Sequence, residues 1–93
     1  MDKKKLKTAR NKIDIIDRRI FALIKKRTYI VKQMLSIKKY KKEIIDHKRI
    51  NEILRKIKKE SIKQKIDPKI TTKIWKSIIW SYVEFQRRNF KNK

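Results

Sequence analysis

The feature that most constrains this chain is a lack of helix breakers: none of its 93 residues is glycine, and only one is proline. Glycine and proline are the residues that most often interrupt or end a helix. Residues 4–39 keep an unbroken helical period, which predicts one very long first helix. Its apolar stripe consists of Leu6, Ala9, Ile13, Ile16, Ile20, Leu23, Ile30 and Met34.

Two shorter helices are predicted after the first. Residues 38–45 lose the helical period and are predicted to be a connection, and Asp46 is suited to cap a second helix that runs to about residue 64. Asp67 and Pro68 then mark the start of a third helix, which runs to about residue 90. No repeat or strand alternation is visible, so we predict an all-α fold of three helices in a single domain, 1–93.

The first helix is too long for the other two to cover. A helix of about 35 residues spans roughly 50 Å, and its apolar stripe would be left as a large exposed patch. A second chain must cover the remainder. We therefore predict a homodimer with intertwined subunits.

Composition excludes several classes of site. The chain has no cysteine, a single histidine (His47) and no glycine, which excludes disulfides, Cys- or His-based metal sites and glycine-rich phosphate loops. No apolar run approaches the 18 residues of a membrane span, and none follows the basic start as it would in a signal peptide. We expect a cytoplasmic protein that uses no metal and no cofactor.

The net charge of +22 admits two interpretations. Clustered cations bind nucleic acid by releasing counterions from its phosphates. Here, however, lysines greatly outnumber arginines and are spread over every segment, as expected for solvated faces and for a compositional bias toward Lys and Ile. The solvated interpretation is favoured, and a basic nucleic-acid binder is kept as the alternative.

Cations interrupt the apolar stripe itself. Arg27 stands where the period calls for an apolar residue, and Lys38, eleven residues later, returns to nearly the same face about 16 Å along the axis. The two could close on one small anion. Arg10 lies on the margin of the stripe about 25 Å from Arg27, so it could reach such a site only in an antiparallel partner. The alternative for each cation is snorkelling or pairing with a helix acid such as Asp14 or Asp17.

Two polar positions on the shorter helices are also unusual. Arg49 falls in the first turn after Asp46, where a cation opposes the helix dipole unless an anion lies nearby. Gln86 lies in line with Ile79 and Tyr82 on an apolar face, so it would be a buried amide that needs partners. A ligand is one such partner, and neighbouring backbone is the other.

Six polar positions on the three helices together resemble the all-helical class of chorismate mutases. These are Arg10, Arg27, Lys38, Asp46, Arg49 and Gln86. The matching text is "AR-x2-ID-x2-D-x2-I-x2-LI-x2-R" at 9–27, "VKQMLSIK" at 31–38, "IDHKR" at 45–49, "DP" at 67–68 and "II-x6-Q" at 78–86. The resemblance covers nearly the whole chain. It implies intertwined dimers of three-helix subunits, in which one arginine of each active site comes from the partner's first helix.

The resemblance also implies roles for these residues. Arg27, with Arg10 of the other subunit, would bind the two carboxylates of chorismate or isochorismate. Lys38 and Gln86 would donate to the ether oxygen, which gains negative charge as its bond to carbon breaks. A pericyclic reaction of this kind needs no nucleophile or general base, since holding the reactive conformer and stabilising developing charge can accelerate it.

Asp46 and Arg49 would form the wall near the ring hydroxyl, and here the chain departs from the mutases. These usually carry a glutamate after the arginine, which binds the C4 hydroxyl of chorismate, and a small residue four positions before the glutamine. This chain has Ile50 and Tyr82 there, as in the isochorismate pyruvate lyases of the family.

Isoleucine cannot bond the C4 hydroxyl, and leaving that group unpaired in a closed site costs about 1–3 kcal/mol. Isochorismate carries its hydroxyl at C2. The sequence therefore favours a lyase that forms salicylate and pyruvate and retains some mutase activity. A dedicated chorismate mutase is the alternative, and a non-catalytic regulatory homologue is a third possibility that the intact cations disfavour.

Overall fold

The computed structural model describes residues 2–91, and within that range the protein is helical, without strands. Helix α1 spans Lys3–Ile37, α2 spans His47–Lys63 and α3 spans Pro68–Asn89, with a 3-10 turn at Lys41–Glu43 between α1 and α2. The predicted all-α fold with one very long helix and two shorter ones is confirmed. None of these helices has an apolar stretch that could cross a membrane. The chain forms two compact units, Met1–Val31 and Lys32–Lys93.

The first unit consists of most of α1. Asp2 caps it, because its Oδ1 accepts the backbone N–H groups of Lys4 and Lys5 at 3.0 and 3.1 Å. Every residue from 7 to 23 is exposed, including the isoleucines and the leucine of the apolar stripe. Ile20 keeps 51% and Leu23 63% of its surface in contact with solvent.

Helix α1 ends at Ile37, so Lys38 lies just beyond it, at the start of the connection predicted for residues 38–45. The Lys38 N–H bonds the Leu35 carbonyl at 3.2 Å, a tightened i→i−3 bond, and the Lys39 N–H bonds the Glu43 carboxylate at 3.0 Å. The Glu43 side chain thus accepts the hydrogen bond of the Lys39 N–H, which would otherwise bond a carbonyl within the helix. The period followed to residue 39 overlaps the predicted connection at residues 38 and 39, and the structure places both of these residues in the connection.

The connection leads into α2 as predicted. Ile44 follows the 3-10 turn and is only 5% exposed, so it anchors the connection by burial. Asp46 is confirmed as the N-cap, since its Oδ1 accepts the Arg49 N–H at 2.9 Å.

Helix α2 ends in a turn that usually contains glycine. Lys65 has φ of 59°, in the left-handed region. The Ile66 N–H bonds the Ser61 carbonyl at 2.9 Å, and the Lys65 N–H bonds the Ile62 carbonyl at 3.2 Å, which together form a Schellman motif. A chain without glycine has to place a residue with a Cβ at this strained position.

Helix α3 begins as the sequence predicts. Asp67 caps it by accepting the Lys69 N–H at 2.9 Å, and Pro68 takes the first helical position. α3 packs against α2, and the hydroxyls of Ser61 and Thr71 hydrogen-bond between them at 2.6 Å. One face of α3, containing Ile79, Val83 and Gln86, is buried.

Candidate active site

The second unit brings a lysine and a buried glutamine into direct contact. Lys38 Nζ donates to Gln86 Oε1 at 2.7 Å across 48 positions of sequence. Gln86 is 7% exposed, and its Nε2 donates to the Tyr82 carbonyl at 3.2 Å. The backbone partner is one of the two alternatives that the sequence suggested for this amide, whereas the lysine from another segment was not among them.

Two different structural causes place this pair. Gln86 lies three and seven residues after the buried Val83 and Ile79, so the period that forms the core of α3 also directs Gln86 inward. Lys38 is the first residue after α1, which ends at Ile37. The pair thus joins the residue that follows one helix to the buried face of another.

The environment of Lys38 acts on its charge in two opposing ways, and the net result is a lowered pKa. Burial lowers the pKa of Lys38, while the nearby carboxylates of Glu43 and Asp46 act to raise that pKa. An ammonium has three N–H donors, and one of these is used by Gln86. Two donors remain that can stabilise negative charge developing on a bound molecule.

The start of α2 contributes Asp46, Arg49 and Ile50. Asp46 and Arg49 are exposed, and Ile50 is half-buried. Asp46 is engaged as the N-cap of α2, and Arg49 Nη1 lies 4.0 Å from Glu52 Oε2. Glu52 thus supplies an anion near Arg49 from within the helix, which reduces the need for a bound one.

Tyr82 is half-buried on α3, one turn before Gln86. Its ring meets that of Phe85 edge to face, with centroids 6.4 Å apart and planes at 85°. Its carbonyl holds the Gln86 amide. Tyr82 therefore belongs to the same cluster as Gln86 through its backbone.

The two arginines of the predicted site lie in the first unit. Arg27 is half-buried and its Nη1 is shielded from solvent, in contrast to the exposed Lys25 and Lys26 beside it. Arg10 is exposed on α1. Carboxylate binding by either one stays a prediction.

Glu43 is the residue that inspection of the sequence missed. It is the single acid in the basic stretch 38–45, and it accepts the Lys39 N–H and acts on Lys38. An acidic residue isolated among lysines in a helix connection was the available signal.

A basic groove lies in the same unit. It has a volume of about 340 Å³ and is lined by Lys41, Lys42, Ile45 and Arg87. Arg87 follows Gln86 in sequence, and the two lysines belong to the connection that begins at Lys38. Positive charge from both segments favours anionic ligands here. No group of three or more His, Cys, Asp or Glu side chains suited to a metal occurs within residues 2–91.

Comparison with known proteins identifies one family. The model of chorismate mutase type II matches residues 9–87, a range that contains Arg10, the Lys38–Gln86 pair and the start of α2. Among curated proteins and among solved structures there is no significant match to the chain.

Proposed function

Since this chain belongs to the chorismate mutase type II family, we propose that it is an isochorismate pyruvate lyase with accompanying chorismate mutase activity. The family supports an enzyme of pericyclic chorismate chemistry. The preference for isochorismate is our proposal, and a dedicated chorismate mutase is the alternative. The observation that carries the pericyclic activity is the contact between Lys38 Nζ and Gln86 Oε1 at 2.7 Å, and the choice between the two substrates rests on Ile50 and Tyr82.

The proposed reaction breaks the bond between the ring and the ether oxygen of isochorismate. Pyruvate has a methyl group where the enolpyruvyl side chain has a methylene, so one hydrogen moves from the ring to that carbon and the ring becomes salicylate. All atoms come from the substrate. Negative charge develops on the ether oxygen, where Lys38 and the second Nε2 hydrogen of Gln86 donate.

Ile50 and Tyr82 support the choice of isochorismate. Both are half-buried, and neither carries a carboxylate for a hydroxyl at C4 of the ring. Chorismate would leave its C4 hydroxyl without that partner, at a cost of about 1–3 kcal/mol in a closed site. The same cations serve both substrates, which is why mutase activity accompanies the lyase activity in the proposal.

The two substrate carboxylates require cations. We assign them to Arg27 and to Arg10 of a second subunit, while Asp46 and Arg49 form the wall near the ring hydroxyl. The basic groove with Lys41, Lys42 and Arg87 supports an anionic substrate, because positive potential raises the local concentration of a dianion.

A homodimer is part of this proposal. The apolar stripe of α1 is exposed along the first unit. Large exposed apolar patches on soluble proteins mark interaction surfaces, so this stripe supports a dimer. A second copy of α1 would cover it and bring Arg10 to the partner's site. We also propose a cytoplasmic location, which suits a fold without cysteine.

The decisive experiment incubates the purified protein with isochorismate and with chorismate separately, and follows salicylate and prephenate. We expect salicylate to form with the higher kcat/KM and prephenate with the lower one. A higher kcat/KM for chorismate would establish the mutase alternative. Failure to turn over either substrate would remove the enzymatic proposal altogether.

Arg10 can be tested across subunits by mixing two inactive variants, Arg10→Ala and Lys38→Ala. If Arg10 serves the partner's site, each mixed dimer has one intact site, and equal mixing after unfolding and refolding restores about a quarter of wild-type activity. If Arg10 serves its own subunit, no mixed dimer has an intact site and activity stays absent. Mixing Arg27→Ala with Lys38→Ala provides a control in which both residues act in one subunit, and no activity returns.

A further inference from the structure

Glu43 lies at the junction between the end of α1 and the Lys38–Gln86 pair. Its Oε2 accepts the backbone N–H of Lys39 at 3.0 Å, and Lys39 directly follows Lys38. In a continuing helix this amide would bond the carbonyl of Leu35, which instead accepts the Lys38 N–H at 3.2 Å. The Glu43 carboxylate thus occupies the amide at which the helical pattern stops.

Glu43 is itself held in place by the connection. Its N–H bonds the Tyr40 carbonyl at 3.0 Å, and the Ile44 N–H bonds the Lys41 carbonyl at 3.1 Å. Ile44, the next residue, is 5% exposed. A buried apolar side chain and two turn hydrogen bonds therefore limit where the Glu43 carboxylate can lie.

We propose that Glu43 is a positioning residue for Lys38: by taking the Lys39 amide it ends α1 at Ile37 and directs the Lys38 ammonium to Gln86. This inference rests on the proposed function, since Glu43 affects the reaction only through Lys38. It touches no substrate.

The negative charge of Glu43 also affects the pKa of Lys38. Burial lowers the pKa of Lys38, and Glu43 is the larger of the two carboxylate influences that oppose this, the other being Asp46 at the start of α2. On α3, Lys38 contacts the neutral Gln86, which Arg87 follows. Removing the Glu43 charge therefore removes the larger of the two influences that keep Lys38 protonated.

Two variants separate the two effects. Glu43→Gln keeps an oxygen acceptor for the Lys39 N–H but removes the charge, whereas Glu43→Ala removes both. Glu60→Gln and Glu60→Ala are the matched controls, because Glu60 is an exposed acid whose carboxylate accepts a hydrogen bond from the side chain of Gln64, the residue that follows α2. Each control makes the same change in net charge as its counterpart.

The first measurement is independent of activity. The Lys38 ammonium is titrated by NMR on protein with 13C-labelled lysine, with its resonance assigned by loss in Lys38→Arg. We expect Glu43→Gln, which keeps the acceptor for the Lys39 N–H, to lower the Lys38 pKa relative to wild type and to the Glu60→Gln control. Equal Lys38 titrations in the Glu43 and Glu60 variants would overturn the proposal, whatever the substrate proves to be.

The second measurement is the pH dependence of kcat and KM with the better substrate. We expect Glu43→Gln to shift the alkaline loss of kcat to lower pH and to change KM little. Glu43→Ala should in addition lower kcat at neutral pH by about tenfold or more, because misplacing a reacting group by about 1 Å can cost up to about 10²-fold. If circular dichroism shows that Glu43→Ala does not fold, Glu43→Gln alone decides the outcome.

The two proposals fail in different ways. If wild type turns over neither substrate while the Lys38 titration shifts as expected, the proposed function is wrong and the influence of Glu43 on Lys38 still stands. If wild type is active and the Glu43 variants match the Glu60 controls in kcat, KM and Lys38 titration, the enzymatic proposal stands and the role of Glu43 is refuted.

Discussion

Residues Met1–Val31 and residues Lys32–Lys93 contain the same kinds of side chain but place them differently. In the first unit the isoleucines and leucine between residues 7 and 23 are all exposed on a single helix. In the second, Ile44 and Val83 are 5% and 4% exposed, and a glutamine is buried between apolar neighbours. The second unit buries part of its apolar surface within one chain and leaves side chains such as Ile62 and Ile70 more than half exposed, whereas no residue from 7 to 23 of the first unit is buried.

This contrast separates two kinds of evidence about function. The second unit contains a contact that can be measured, between Lys38 and Gln86. The first contains the exposed apolar stripe of α1, whose role in association is our proposal. Substitutions at the Lys38–Gln86 contact should therefore act on chemistry, and substitutions in the exposed stripe on association.

The largest effect is expected at the Lys38–Gln86 contact. Lys38→Ala should lower kcat by about 10²–10³-fold, because it removes a donor aimed at developing negative charge. Steady-state kinetics with both substrates measure this. Lys39→Ala is the matched control, since Lys39 is exposed and loses the same charge without losing that donor. A Lys38→Ala enzyme as active as Lys39→Ala would contradict the role given to Lys38.

The next prediction tests whether the first unit is an interface. Ile20→Asp places a carboxylate in the exposed stripe of α1, and we expect a dimer in wild type and a monomer in the variant, because burying an unpaired charge is costly. Sedimentation velocity measures the change. Ala22→Asp adds the same charge on the opposite face of α1 and should stay dimeric. A monomeric wild type would contradict the homodimer.

The third prediction addresses substrate choice in the second unit. Ile50→Glu should raise the ratio of chorismate to isochorismate kcat/KM by roughly 5- to 150-fold, which corresponds to about 1–3 kcal/mol for pairing the C4 hydroxyl. Ile50→Leu is the control, because it keeps an apolar side chain of the same volume. An unchanged ratio in Ile50→Glu would show that this position does not select the substrate.

The fourth prediction concerns alkaline pH. Because burial lowers the pKa of Lys38, its ammonium is lost at a pH below that of an exposed lysine, and kcat should fall as pH rises through this range. The same lowered pKa has the opposite effect on stability: at low pH the buried charge is a penalty, which is relieved as pH rises from the folded toward the unfolded pKa.

A pH profile of kcat and a set of urea unfolding curves test these two opposite trends. Lys38→Arg is the control, because a guanidinium does not titrate in this range and both trends should disappear. An alkaline loss of kcat that persists unchanged in active Lys38→Arg would assign it to another group.

The smallest effect is expected at the end of α2. Lys65→Gly should stabilise the protein by about 0.5–1 kcal/mol, since glycine adopts the left-handed conformation at 59° without the steric cost of a Cβ. Urea unfolding provides the measurement. Lys63→Gly, two positions earlier inside α2, should instead destabilise by up to about 1 kcal/mol. Loss of stability in both variants would contradict this account of the turn.

Several features of the fold were predictable because local chemistry specifies them. Asp46 and Asp67 cap helices with their own carboxylates, and Pro68 has its φ restricted in advance. The inward direction of Gln86 follows from the period of α3. These features depend on neighbouring residues alone, so the sequence contains the information needed to infer them.

The end of α1 was not predictable in the same way. The period extends to residue 39 while the predicted connection begins at residue 38, so the sequence left the boundary open over these two residues. In the structure the helix ends at Ile37, and the Glu43 side chain accepts the Lys39 N–H. That hydrogen bond depends on a turn four residues later and on the burial of Ile44. Periodicity within the helix contains no information about such an acceptor.

By itself, the sequence determined the three helices, their caps and the positions at which cations enter an apolar stripe, because spacing and local hydrogen bonds decide these. Only the tertiary structure decided that Lys38 meets Gln86 and that Glu43 acts on both the backbone and the charge beside it. The physical reason is that a hydrogen bond between residues 48 positions apart, and the burial that lowers a lysine pKa, arise only when separate segments pack together.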